Sequence, residues 1–109
     1  MFEILEYLDE DGVSPFGEWL GDLNDMQAQA RIDARIGRMH EGLFGDCKPV
    51  GEGVWELRID WGPGYRVYYA LSGKRMLLLL CGDDKRRQKA DIKRAIVFWK
   101  DWQRRMNDD

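Results

Sequence analysis

The chain carries a single histidine, His40, among its 109 residues. One imidazole excludes both a His-based metal cluster and a pair of histidines that pass a proton between them. Cysteine is almost as scarce. Cys47 and Cys81 lack the CxxC spacing of a zinc or redox site and are too few for a disulfide framework, so both read as incidental thiols. No metal and no cofactor is expected. The longest aliphatic run, "MLLLLC" at 76–81, is far too short to cross a bilayer, and "MFEILEYLDED" has neither the positive flank nor the apolar stretch of a signal peptide. A cytoplasmic protein without a membrane partner is therefore expected. Residues 1–28 also contain no Lys or Arg at all.

That last absence changes the meaning of the overall charge. A net charge of −3 argues against the basic footprint of a protein that holds nucleic acid. Yet eight acids crowd into residues 1–28, and all 17 basic residues fall in 29–109, against 12 acids there. One acidic and one basic surface follow, and the basic side can face an anionic partner. The length suits one domain, 1–109, with a single core.

Hydrophobic spacing predicts the elements. "FEILEYL" (2–8) reads as a strand that ends in the turn cluster "DEDG". Ser14 followed by Pro15 is a helix start, with Phe16, Trp19, Leu20 and Leu23 on one face. From Asp25 to Glu41, Ala28, Ile32, Ile36, Met39 and Leu43 recur at helical spacing, with Arg31, Arg35 and Arg38 away from the stripe. "GLFGDCKPVGEG" (42–53) reads as a loop. "VWELRIDW" and "YRVYYAL" alternate apolar and polar residues, predicting strands with one wet face each, while "KRMLLLLCG" lacks alternation and reads as a strand covered on both sides. Ile92, Ala95, Ile96, Trp99, Trp102 and Met106 mark a last amphipathic helix. The five tryptophans all fall on apolar faces. The resulting order, βααβββα, is an α+β architecture with two N-terminal helices, a small antiparallel sheet and one C-terminal helix.

The hairpin "ELRIDWGPGYRVYY" (56–69) places Arg58 and Arg66 on the polar face of its strands. A three-residue Gly62-Pro63-Gly64 loop predicts Arg58 opposite Tyr68 and Asp60 opposite Arg66. In the plainest reading, Asp60 and Arg66 form an exposed ion pair, and Arg58 lies over the Tyr68 ring.

"GVWELRIDWGPGYRVYYAL" followed by "LLLLCGDDKRRQKADIKRA" resembles the phage-derived addiction module killer proteins of the RelE/ParE toxin superfamily, the HigB-like branch. The resemblance spans nearly the whole chain, and the ELR, GPGYR, GDxK and Q-x-x-DI-x-x-A elements stand in order. It implies a RelE-like fold and a toxin of a type II toxin–antitoxin system. Such a toxin is typically an endoribonuclease (mRNA interferase) acting on mRNA at the ribosome and neutralised by a cognate antitoxin, here expected to be a helix-turn-helix protein. One departure is visible: two glycines usually precede the "DK", and this chain reads Gly82-Asp83-Asp84-Lys85.

Cleavage of this kind needs a proton removed from the 2′-hydroxyl, stabilisation of charge on the phosphate and a proton for the leaving oxygen. His40, near the apolar stripe of its helix, is expected at a half-buried edge and not in catalysis. Arg58 and Arg66 are planar, permanently charged forks suited to phosphate oxygens. Lys85, expected at a helix N-terminus among Arg58, Arg66 and Arg86, is a candidate proton carrier near neutral pH; its plain alternative is an exposed loop lysine. Tyr68 is a candidate to stack on a base or donate from its hydroxyl, while Tyr65 faces the core. Gln88 is expected to point back toward the sheet, and the resemblance implies that it lines the site. Arg86, Arg87, Lys89, Lys93 and Arg94 form a basic run that is either a solvated face or a contact for ribosomal RNA. Two other functions fit the resemblance: a ParE-type poison of DNA gyrase that cuts no RNA, and a toxin weakened in catalysis that keeps its antitoxin.

Overall fold

The computed structural model describes residues 1–107. Strand β1 (Glu3–Glu6) leads to α1 (Pro15–Asp22) and α2 (Met26–His40), then to β2 (Cys47–Gly51), β3 (Val54–Ile59), β4 (Tyr65–Ser72) and β5 (Met76–Asp84). A 3-10 turn (Lys85–Arg87) opens α3 (Gln88–Asn107). The architecture is α+β, as the sequence predicts. Ser14 caps α1 by accepting from the Gly17 N–H at 2.9 Å, with Pro15 in the first turn, and Asp25 caps α2 through Gln27 and Ala28.

The sheet order is β1-β5-β4-β3-β2. Two features depart from the sequence reading. β1 runs parallel to β5, so the sheet is mixed, the other pairs being antiparallel. The segment read as a loop over 42–53 contains β2, whose Gly and Pro content suits an edge strand, where Pro49 has no ladder on its outer side to interrupt.

The predicted wet face is also reduced to the stretch around Arg58 and Arg66. α1 and α2 cover one side of the sheet around Ile32, Met39, Leu57, Val67 and Leu79, and α3 covers the other around Val54, Tyr68, Ala70, Leu80 and Trp99. Glu56 and Tyr68, polar-face residues by alternation, are thus fully buried beneath α3. β5 is covered on both sides as expected, and an irregularity opposite Tyr68 and Tyr69 sends Leu80 and Cys81 to the same core. Of the tryptophans, Trp99 is buried, while Trp19, Trp55, Trp61 and Trp102 lie half-buried at the core margins. Leu43 falls outside α2 and is exposed.

The hairpin register differs by one pair. Ile59 pairs with Tyr65, which makes the connection five residues and places Arg58 opposite Arg66 and Glu56 opposite Tyr68. The cause is Trp61, which leaves the strand. Its indole N–H donates to Asp25 Oδ2 at 3.1 Å, and the Arg31 guanidinium lies 3.8 Å from its ring centroid. The tip of the hairpin is thereby pinned to the start of α2.

Candidate active site

The corrected register builds a row of four charged residues across the sheet, two arginines flanked by two carboxylates. The Arg58 N–H donates to the carbonyl of Asp46 at 2.9 Å, Arg58 stands opposite Arg66, and Arg66 stands opposite Asp83 on β5. Two like charges directly opposite each other repel. Each arginine is therefore held by its own carboxylate: Arg58 Nη2 lies 2.8 Å from Asp46 Oδ1, and Arg66 Nη1 lies 3.0 Å from Glu56 Oε1. These pairs replace the Asp60–Arg66 pair and the Arg58–Tyr68 stack predicted from the sequence. Asp46 and Arg58 are both exposed, and the guanidinium holds the Asp46 carboxyl below its usual range. The Arg66 side chain is only 17% exposed.

Glu56 is the residue that sequence reasoning missed. Its side chain is wholly buried, and besides Arg66 its Oε2 accepts from Tyr68 Oη at 3.1 Å and from Gln88 Nε2 at 2.8 Å. Lys48 Nζ approaches Oε1 to 3.9 Å. A carboxylate can be buried only with such company. Gln88 points to the sheet as expected. Tyr68 does not match its expected role. Its ring is closed under α3, its hydroxyl is committed to Glu56, and burial with the nearby carboxylate pushes the phenol well above its usual range, so neither base stacking nor proton donation is open to it. Tyr65 packs in the other core beside Trp19, as expected. A buried carboxylate was findable in principle from the cross-strand partners Lys48 and Tyr68, but only with β2 recognised and the hairpin in register.

Arg58, Arg66 and Lys85 line one open cleft of about 330 Å³ together with Asp46, Asp60 and Tyr65. Two contacts bring Lys85 there. Its N–H donates to the Gly64 carbonyl at 3.1 Å, and its stem lies against Gly64, where an added Cβ would come within 3.3 Å of Lys85 Cδ. Gly64 also has φ +87, a backbone conformation that favours glycine, and a side chain there would press on the lysine stem. Gly82 has a parallel role on β5: a Cβ there would run into the Trp19 ring at 2.4 Å. Three of the five predicted site residues thus meet in the cleft, and Tyr68 and Gln88 stand behind Arg66 through Glu56.

The other basic residues divide. Arg87, Lys89 and Lys93 are exposed and have no ion pair among the described residues, whereas Arg86 is bound by Asp84 at 2.6 Å and Arg94 reaches Asp91 at 4.0 Å. The expected free helix N-terminus beside Lys85 is closed, because the Asp84 carboxylate caps the 3-10 turn by accepting from Arg86 N–H at 2.9 Å. Asp83 is part of β5 and not of a loop, and it meets buried Asp91 of α3. Burial first, then the charge and hydrogen bond of Asp83, push the Asp91 carboxyl up to about 6. His40 is half-buried with Nδ1 2.6 Å from the Phe2 carbonyl oxygen, and it does not line the cleft. Among the described residues no group of three or more His, Cys, Asp or Glu side chains is placed to hold a metal ion, and no helix is long and apolar enough to cross a membrane.

A Haemophilus influenzae protein described as "Uncharacterized protein" is 50% identical to this chain over 83 residues, covering 76% of this chain and 84% of that protein. The model of the family "Phage derived protein Gp49-like (DUF891)" matches residues 18–98, a stretch that runs from within α1 through α2, the pinned hairpin and the cleft to the middle of α3. This chain belongs to the Gp49-like family of phage-derived proteins.

Proposed function

We propose that the protein is the toxin of a type II toxin–antitoxin pair and cleaves mRNA on the translating ribosome. The observation that supports this reading is the convergence of Arg58, Arg66 and Lys85 on one cleft, with the two arginines directly opposite each other. A phosphodiester placed between them would have cationic donors on two sides. In the reaction the ribose 2′-oxygen attacks the adjacent phosphorus, and its proton leaves to water. The bond from phosphorus to the 5′-oxygen breaks as Lys85 supplies a proton to that oxygen, leaving a 2′,3′-cyclic phosphate and a 5′-hydroxyl. Arg58 and Arg66 stabilise the extra negative charge that builds on the phosphate between these two events. Gln88 and Tyr68 contribute through the Glu56 network and not by touching RNA.

Arg87, Lys89 and Lys93 supply an exposed basic strip, unpaired among the described residues, for ribosomal RNA backbone. A cognate antitoxin of the helix-turn-helix kind would neutralise the toxin by presenting acidic groups to the Arg58 and Lys85 cleft. The deciding experiment induces the protein in bacteria and follows protein synthesis, DNA synthesis and mRNA 5′ ends. Early arrest of translation with new 5′ ends is expected, and a deoxyribose at the cut nucleotide should stop cleavage. Loss of gyrase activity with intact mRNA would replace this reading with that of a gyrase poison.

A further inference from the structure

Glu56 touches no reacting atom in the chemistry just described, yet it is the only carboxylate that binds Arg66, Tyr68, Gln88 and Lys48 together among the described residues. With a fully buried side chain it cannot itself touch a nucleotide in the cleft. What it does is fix one edge of the Arg66 guanidinium. Nη1 is the nitrogen it binds, whereas Nε is buried without a hydrogen-bond partner among the described residues, and Arg66 still lines the cleft. An arginine on a long flexible stem would otherwise lose rotamer freedom on each binding event, a cost that a pre-formed anchor removes.

We infer that Glu56 is a positioning residue of the site, whose carboxylate holds Arg66 in one orientation for a phosphate while offsetting part of its charge. The inference rests on the endonuclease reading for its effect on turnover, but not for its effect on Arg66. The two consequences have opposite signs. Anchoring favours the transition state, which needs its donors in place beforehand. Neutralisation weakens attraction for any phosphate, because a negative charge stands directly behind the positive one. Removing the carboxylate should therefore separate binding from turnover. A glutamate that only stabilised the fold would lower both together.

The test compares Glu56→Gln, which removes the charge at nearly constant volume, with Glu56→Asp, which keeps the charge on a shorter stem. Thermal melts and amide spectra first establish that each variant folds. The order of the Arg66 Nε–H is then read by ¹⁵N relaxation, inorganic phosphate is titrated by NMR, and cleavage of ribosome-bound mRNA is resolved into kcat and KM. In Glu56→Gln the Arg66 Nε–H should become mobile, phosphate should bind roughly fivefold tighter, and kcat should fall about 100-fold without a rise in KM. In Glu56→Asp the Nε–H should be intermediate in order and phosphate binding unchanged. An Arg66 side chain as rigid in the variants as in the parent protein overturns the inference, and so does phosphate binding that weakens in step with kcat. If Glu56→Gln does not fold, the order of Arg66 in Glu56→Asp decides. If the parent protein cuts no RNA, the endonuclease reading fails on its own, while the relaxation and phosphate data still decide the role of Glu56.

Discussion

Arg58 and Arg66 face each other across β3 and β4, but their two carboxylates are of different kinds: Asp46 is exposed and Glu56 is sealed under α3. The pair is symmetrical in charge and asymmetrical in burial. Deleting either arginine removes one cation from the cleft, but only one deletion strands a buried anion. Stability and activity should therefore part company between the two sites.

Arg66→Ala should abolish cleavage and also destabilise the protein by about 3 kcal/mol, because Glu56 loses its principal counter-charge while remaining buried. Arg58→Ala should cut activity by a comparable factor of roughly 100, with a melting temperature close to that of the parent, since Asp46 returns to water. Urea unfolding measured alongside cleavage checks both. Equal stability in the two variants would mean that Glu56 is satisfied without Arg66.

Lys85→Ala should remove activity with an unchanged melt, because the side chain is exposed, with its stem against Gly64. Gly64→Ala should mimic it in part. The new methyl would displace the lysine stem and strain a backbone at φ +87, giving a loss of both activity and stability. If Gly64→Ala cleaves as well as the parent, the glycine does not position Lys85.

Arg58 and Arg66 could be singled out in the sequence because they stand on the polar face of the hairpin strands, Lys85 because it lies between the last strand and the last helix, and Gln88 because its angle on α3 matches the buried stripe. The register could not be read there. It depends on Trp61 abandoning strand alternation for Asp25 and Arg31, the cap and a member of α2 that no local pattern announces as partners. The role of Glu56 stayed hidden for a related reason. Alternation shows which residues share a face, but not that α3 closes the face carrying Glu56 and Tyr68, which turns an apparently solvated carboxylate into a buried one. β2 escaped because edge strands tolerate the Gly and Pro that mark loops. The helices were read within a residue or two because their caps, Ser14 with Pro15 and Asp25, are local.

Asp91 gives stability a pH dependence of its own. Its carboxyl is pushed up to about 6, against a usual value of 3.8, by burial and by Asp83, with Arg94 and Arg87 opposing. The folded state therefore binds this proton more tightly than the unfolded chain does. The stabilisation is complete below about pH 4 and is lost as pH rises through about 6. Asp91→Asn, which resembles the protonated form, should melt several degrees above the parent at pH 7.5 and close to it at pH 4.5, a gain of about 1–3 kcal/mol at the higher pH. Equal gains at both pH values would mean that Asp91 does not titrate in this range.

Charge reversal tests the basic strip and separates its members by their partners. Arg87 and Lys93 are exposed and unpaired among the described residues, so Arg87→Glu with Lys93→Glu should leave the fold intact and weaken ribosome association. Each lost phosphate contact also removes released counterions, so the slope of log affinity against log salt should become shallower by roughly one for each side chain that touches RNA. Arg86 provides the internal comparison. Its guanidinium is already bound by Asp84 through both carboxylate oxygens, leaving less of its charge for RNA. Arg86→Glu should thus shift the slope less than either unpaired residue, although it stands beside Arg87 in the same 3-10 turn. Binding to purified ribosomes over a range of salt concentrations, in the absence of cleavage, measures the slope directly. A slope unchanged in the double variant would identify the strip as a solvated helix face, whereas an equal change on reversing Arg86 would mean that RNA displaces Asp84 from it.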